Sequence, residues 1–266
     1  MNKLDYNQAC QELWEEAAPI HEEICFDDLK KAFKETGYNH LNPIATELLT
    51  TKIRVKGRRV AHLCCNNGRE LLSVKNLGAG RCVGFDFSDG FIEQARKLAL
   101  SSGIECEFEC ENVLALPGIF ESTFDIVIIT AGTLNWFPSL TKLFCTISQL
   151  LTSSGVCLIY ESHPVVNMFP LHTYSDTPDR SYFESSPRIS NTGLDYWTGD
   201  KYDSKTKYWF THSLSEIITA GTNNDLYVKE FKEYSNDILN GFRLYENRAA
   251  QFPVSMHFIF CKKSAL

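Results

Sequence analysis

Long apolar runs are missing from this 266-residue chain. None approaches the roughly 18 residues that a membrane-spanning helix needs, so no membrane partner is expected. Basic residues are outnumbered, 26 Lys and Arg against 33 Asp and Glu, giving a net charge of −7. Binding to a nucleic-acid backbone is built on Lys and Arg, so nucleic acid is not expected as a partner either. No Gly-Lys-Ser/Thr phosphate loop occurs, which disfavours a nucleoside-triphosphatase. None of the 11 tyrosines has Lys four residues on, so the Tyr-x-x-x-Lys pair common in short-chain reductases is absent. The 10 cysteines include no paired CxxC spacing, which leaves no zinc signature. The opening residues, MNKLDYNQACQELWEEAAP, are polar and acidic and carry no apolar signal core. The expectation is a cytoplasmic chain whose thiols are reduced and packed as small hydrophobes.

Hydrophobic residues make up 44% of the chain and charged residues 22%, ordinary globular values that allow one sizeable core. Its organising stretch runs from Arg59 to Ser88. Val60 to Cys65 is an apolar run of strand length, and the small polar turn Asn66-Asn67-Gly68 follows. Arg69-Glu70-Leu71-Leu72 opens a helix that Gly78 and Gly80 stop. A second apolar run, Cys82 to Phe85, ends in the acid Asp86. Strand, turn, helix, strand and acid make half of a doubly wound nucleotide-binding unit, whose ligand sits at the carboxyl ends of the strands. Gly68 lets a ligand close on the backbone, and Asp86 suits both hydroxyls of a ribose.

The segments HLCCNNGREL, VGFDFSDGFIEQARKLA, CENVLALP, FDIVIITAGTLNWFPSL and LLTSSGVCLIYESHP follow one another in an order and spacing that resemble the class I S-adenosylmethionine-dependent methyltransferases. The resemblance covers roughly residues 55 to 165. The tract KYWFTHSLSEII is similar to the tail of a bacterial subgroup of small-molecule or uncharacterised members. The resemblance implies an α/β, doubly wound, Rossmann-like seven-stranded sheet whose last strand runs antiparallel. It also implies S-adenosylmethionine as cofactor, S-adenosylhomocysteine as product and a small-molecule methyl acceptor. In these terms the turn Leu63, Cys64, Cys65, Asn66 and Gly68 would hold the methionine portion. Asp86, with Phe87 and Ser88 beside it, would hold the ribose; Phe87 and Val113 would sandwich the adenine and Asn112 would meet its amine. The small residues Thr130 and Ala131 would leave room for the methyl and its acceptor. Two of the family's three glycine positions are filled by Cys64 and Asn66, and Asn tolerates the left-handed conformation better than most residues. No Asn/Asp-Pro-Pro-Tyr motif ends the fourth strand, which weighs against a base-modifying enzyme.

Candidate proton acceptors stand at the end of the fifth strand: His163, with Glu161 beside it, and further along His212. An imidazole titrating near pH 6.5 suits a general base. A single domain is expected: residues 1–52 an N-terminal helical cap, 53–164 the cofactor-binding core, 165–211 an aromatic-rich insertion or lid, and 212–266 a C-terminal helix and strands. In the cap, Leu4, Ala9, Leu13 and Trp14 form an apolar face, and Tyr6, Trp14, Tyr38 and Asn39 are candidates to approach the cofactor. Gly155 is expected to turn the chain into a fifth strand, Val156 to Tyr160. In the insertion, Tyr196 to Phe210 reads as a hairpin with Gly199-Asp200 near its turn. Its aromatics either wall a substrate pocket or make a dimer contact, so the chain is expected as a monomer or homodimer. Two rival readings stay open: a non-catalytic binding or scaffold protein on the same fold, favoured by the missing glycines, and a nicotinamide-dependent reductase.

Overall fold

Strand formation begins where four consecutive buried residues, Val60–Leu63 (β1), can pair on both sides. The computed structural model describes residues 5–194, 201–248 and 251–263. In it β1 is followed in chain order by Cys82–Asp86 (β2), Glu107–Cys110 (β3), Phe124–Ile129 (β4) and Leu151–Ser162 (β5). A separate hairpin, Arg188–Leu194 (β6) with Lys201–Trp209 (β7), precedes Leu226–Tyr234 (β8) and Ser255–Lys262 (β9). The main sheet has seven strands in the order β3-β2-β1-β4-β5-β9-β8, with β9 antiparallel to both of its neighbours. The order reverses between β1 and β4, and that switch point opens a crevice at the carboxyl ends of the strands.

Both faces of the sheet are covered, which is why the central strands are apolar throughout. On one face lie Phe85, Phe124, Phe144 and Phe258; on the other lie Leu71, Leu98, Phe108 and Ile128. The covering helices start where the sequence supplies caps. Asp5 accepts the Asn7 and Gln8 amides at the head of Tyr6–Ala32 (α1), and Asn42 accepts the Ala45 amide over Pro43–Glu47 (α2). A π turn, Leu48–Ile53, continues α2 until Arg54 takes a left-handed conformation. Arg69–Asn76 (α3) follows the turn after β1, and Ser88 caps Asp89–Ser102 (α4) through the Phe91 amide at 3.3 Å. Thr141–Leu150 (α5) follows β4, and Leu214–Thr222 (α6) opens with a Ser213–Glu216 capping box. No helix among the described residues is long and apolar enough to cross a membrane.

Several sequence expectations shift. Gly155 makes no turn: α5 passes directly into β5, which runs through Gly155 from Leu151. The hairpin starts earlier than the aromatic pattern suggests, because the polar segment Arg188–Leu194 supplies its first strand. Tyr196 and the Gly199-Asp200 turn lie outside the described residues, as does Leu4. Gly193 is required where it stands, since a Cβ there would come within 2.2 Å of the ring of its cross-strand partner Tyr202.

Candidate active site

The turn leaving β1 keeps a glycine-like backbone without the glycines. Cys64, Asn66 and Gly68 all adopt positive φ, at 55°, 51° and 76°. Asn66 accommodates this with its own side chain, whose Oδ1 accepts the Asn67 amide at 2.8 Å. Gly68 has no such freedom, because a Cβ there would lie 2.6 Å from the Phe108 ring and 2.9 Å from Ala95. The acid closing β2 locks the turn. Asp86 accepts the Asn66 amide at 2.9 Å on Oδ2 and the Ser88 amide at 3.1 Å on Oδ1. Burial pushes the Asp86 carboxyl up to about 6, against the pull of the Ser88 and Asn66 amides. Each oxygen retains a second lone pair for a ligand hydroxyl.

A cavity of about 350 Å³ spreads from this turn over the carboxyl ends of the strands. Cys64, Cys65, Asn66, Asp86, Phe87, Asn112, Val113, Thr130 and Ala131 all line it, so most of the expected cofactor residues converge on one space. Asn112 spends one lone pair of Oδ1 on the Leu114 amide, 2.9 Å away. Three expected cofactor residues stand outside the lining. Leu63 is buried in the core beneath the turn, Gly68 faces Phe108, and Ser88 serves as the helix cap.

The three candidate bases also stand outside it. His163 accepts the Val165 amide on Nδ1 at 3.1 Å and sets Nε2 3.0 Å from Glu233 of β8, on the side away from the cavity. Its imidazole is lowered by burial, so it stays neutral. His212 bonds through Nε2 to the Phe137 carbonyl at 2.8 Å, a contact that orders the segment after β4. Glu161 reaches back under the same segment, taking the Gly132 amide at 2.6 Å and the Leu134 amide at 2.9 Å. Burial pushes its carboxyl up to about 7 despite those amides. All three groups are fastened to protein partners, and they shape the wall rather than face a ligand.

A polar cluster at the floor of the cavity was not anticipated. Thr130 donates to the Glu70 carboxylate and pairs at 2.9 Å with Nε2 of His62, the one polar residue of β1. Because the hydroxyl donates to Glu70, His62 donates from Nε2, which fixes its tautomer. Burial would raise the Glu70 carboxyl, yet Arg69, His62 and Thr130 together hold it below its usual value. Facing them, His40 is lowered to about 4 by burial and then by Arg69. The available signal was His62 itself: a polar side chain in a strand buried on both faces must find a partner.

The roof comes from both ends of the chain. Trp14 of α1, Trp136 after β4 and Trp209 of β7 stand edge to face in series, with centroids 5.2 and 5.3 Å apart. Asn135 and Phe210 exchange a reciprocal pair of hydrogen bonds at 2.6 and 2.8 Å, tying the hairpin to the β4 end. Of the other cap candidates, Tyr6 packs on Tyr208 and Phe210, Tyr38 packs on Phe33, and Asn39 bonds Thr46. Of the four cap candidates, Trp14 alone lines the cavity.

Turn, acid and switch-point crevice define a Rossmann-like site for a nucleoside-bearing ligand. Residues 60–155 match the family model described as "Methyltransferase domain". The ubiquinone biosynthesis O-methyltransferase of Xanthomonas euvesicatoria pv. vesicatoria is 27% identical over 115 residues, 43% of this chain and 47% of that protein. This chain spans about half the length of the curated relatives it matches. Among solved structures, a SAM-dependent methyltransferase from Methanosarcina mazei aligns at TM-score 0.59 and 17% identity, covering 84% of this chain and 98% of that one. The magnesium protoporphyrin IX methyltransferase of Synechocystis, solved with bound SAH, aligns at TM-score 0.58 and 12% identity over 97% and 100% of the two chains. Residues 60–155 are therefore similar to a methyltransferase domain, and the chain has the Rossmann-like fold of those S-adenosylmethionine-dependent enzymes.

The donor set fits that cofactor. Asp86 would offer carboxylate lone pairs to a ribose, Phe87 and Val113 would offer apolar faces to adenine, and Asn112 lines the same cavity. The Glu70 carboxylate and the Arg69 guanidinium line the other side of the turn, with charges suited to an amino acid's ammonium and carboxylate.

Proposed function

We propose that this chain transfers a methyl group from S-adenosylmethionine to a small-molecule acceptor. The supporting observation is the convergence of Asp86, Phe87, Asn112, Val113 and Thr130 on one cavity, around a turn that keeps three left-handed residues. S-adenosylmethionine supplies a methyl already activated on a sulfonium, so the protein's part is to align and enclose. Positioning of this kind is worth roughly 7–11 kcal/mol of a barrier.

Asp86 and the Cys64–Gly68 turn would hold the nucleoside and amino-acid ends. Glu161 fixes the Gly132–Leu134 backbone so that the small residues at the β4 end stay clear. The tryptophan roof excludes water from the space beyond them. A proton leaving an acceptor would meet His172, on the cavity wall, rather than His163. Burial and then Lys207 and Lys201 lower the His172 imidazole, which leaves it neutral at pH 7 with a free lone pair. The O-methyltransferase name of a relative supports a small acceptor such as a hydroxyl compound.

The test is a thermal-shift titration with S-adenosylmethionine, S-adenosylhomocysteine and NADH in parallel. A ligand at 100 times its Kd adds about 2.7 kcal/mol, several degrees at this size. A shift with the first two alone is expected. A shift with NADH alone, or with none of the three, overturns the reading.

A further inference from the structure

Beside the residues suited to the cofactor, the same cavity is lined by Trp136, Trp209, Tyr160 and Tyr202, whose flat faces suit a planar guest. One charged side chain of β7 enters this space: Lys207, two residues before Trp209 and so on the same strand face.

No carboxylate is paired with Lys207 among the described residues. The nearby acids are committed elsewhere. Asp179 is held by Arg188 at 2.6 Å, Glu12 by Lys205 at 3.2 Å, and Asp237 caps the Leu239 and Phe242 amides at 2.9 and 2.7 Å. The charge that Lys207 senses is cationic, from Arg188, and its neighbour His172 senses Lys207 and Lys201 more strongly than the opposing carboxylate of Asp237. In a chain of net charge −7, the hairpin thus brings a local positive field over an aromatic chamber. An ammonium drawn from water without a counter-charge is costly, and an anionic guest would offset that cost.

We propose that the acceptor is a planar aromatic molecule bearing an anionic group, a carboxylate or phenolate, which pairs with Lys207 while the ring lies against the tryptophans. This rests on the methyl-transfer reading above and names the substrate class of that site. Lys207 acts here as a specificity residue.

Calorimetry in saturating S-adenosylhomocysteine tests it with matched probes: 4-hydroxybenzoate and 3-hydroxy-2-naphthoate against their neutral carboxamides. At least one acid should bind tenfold or more tightly than its amide. Lys207→Met should abolish that preference and Lys207→Arg should retain most of it, with S-adenosylhomocysteine affinity unchanged in both. If no acid outbinds its amide, or Lys207→Met weakens acid and amide alike, the inference is overturned. Failure of S-adenosylhomocysteine itself to bind would instead remove the methyl-transfer reading. The two failures are therefore distinguishable.

Discussion

Glu161 and Gly132 are joined by a 2.6 Å hydrogen bond from the glycine amide to the carboxylate, across the gap between the β5 and β4 ends. The second oxygen takes the Leu134 amide, so one side chain satisfies two donors of a segment that has no regular structure of its own. Glu161→Gln keeps an acceptor for one amide and turns an NH2 toward the other, which should cost about 1–3 kcal/mol at low pH. The pH dependence has a defined sign. The folded carboxyl sits at about 7, above its ordinary 4.5, so its contribution is present below 4.5 and lost as pH rises through about 7. The stability advantage of wild type over Glu161→Gln should therefore fall over that window by on the order of 3 kcal/mol, vanishing or reversing by pH 8. Urea melts at pH 4.5, 6 and 8 measure it, and a gap that widens with pH contradicts the assignment.

Asp86 gives a binding prediction. Its carboxyl is pushed up to about 6, so it is ionised only above that pH, and ribose hydroxyls donate best to the ionised form. S-adenosylhomocysteine affinity should climb from pH 5 to about 7 and then level. Asp86→Asn should lose about 1.5–3 kcal/mol of binding and flatten the profile. Calorimetry across that range decides, and a profile unchanged in the variant rules out the ribose role.

Cys64 occupies a conformation that costs a non-glycine residue roughly 1–2 kcal/mol. Cys64→Gly removes that strain, loses some packing and adds unfolded-state freedom. Stability should stay within about 1 kcal/mol of wild type. Affinity for S-adenosylhomocysteine should rise as the thiol leaves the cavity wall. A tenfold fall would show that the thiol is itself a useful contact.

Gly68→Ala should be severe. The added Cβ meets the Phe108 ring at 2.6 Å in a backbone at φ 76°, so overpacking and left-handed strain coincide. A loss of about 2–4 kcal/mol is expected in urea unfolding. Phe108→Leu in the same chain should restore part of it, since the two sites share one contact. An additive double variant would refute that explanation.

The cofactor half of the site was legible because its signals are local. An apolar run, a small polar turn and a terminal acid lie within thirty residues, and side-chain chemistry alone told that Asn66 could stand for glycine. His163 was not legible in the same way. Its residue type suits a base, but its direction is set by Glu233, seventy residues later and two strands across. Glu161 likewise reads as a catalytic base until the backbone amides beneath β4 are placed. The hairpin escaped because Arg188–Leu194 is polar and scarcely alternates, so its strand character comes from pairing with β7. Trp14 and Trp209 could be named as aromatics, but their meeting through Trp136 is a property of the assembled roof.

That roof also orders events in time. Lys205 pairs with Glu12 across 193 residues of chain, whereas β1, β2 and β4 meet within a far shorter span. Contacts that close long loops are made late, after shorter-range pairings have reduced the cost of bringing the ends together. The sheet should therefore assemble before its cavity is covered, and the cover should open first when stability is reduced. During synthesis, the N-terminal helix could dock on α4 early, through Gln94 to the Ala18 carbonyl, but its pairing with β7 would wait until some two hundred further residues had emerged. The pocket is the last feature of this molecule to be completed and the first to be undone.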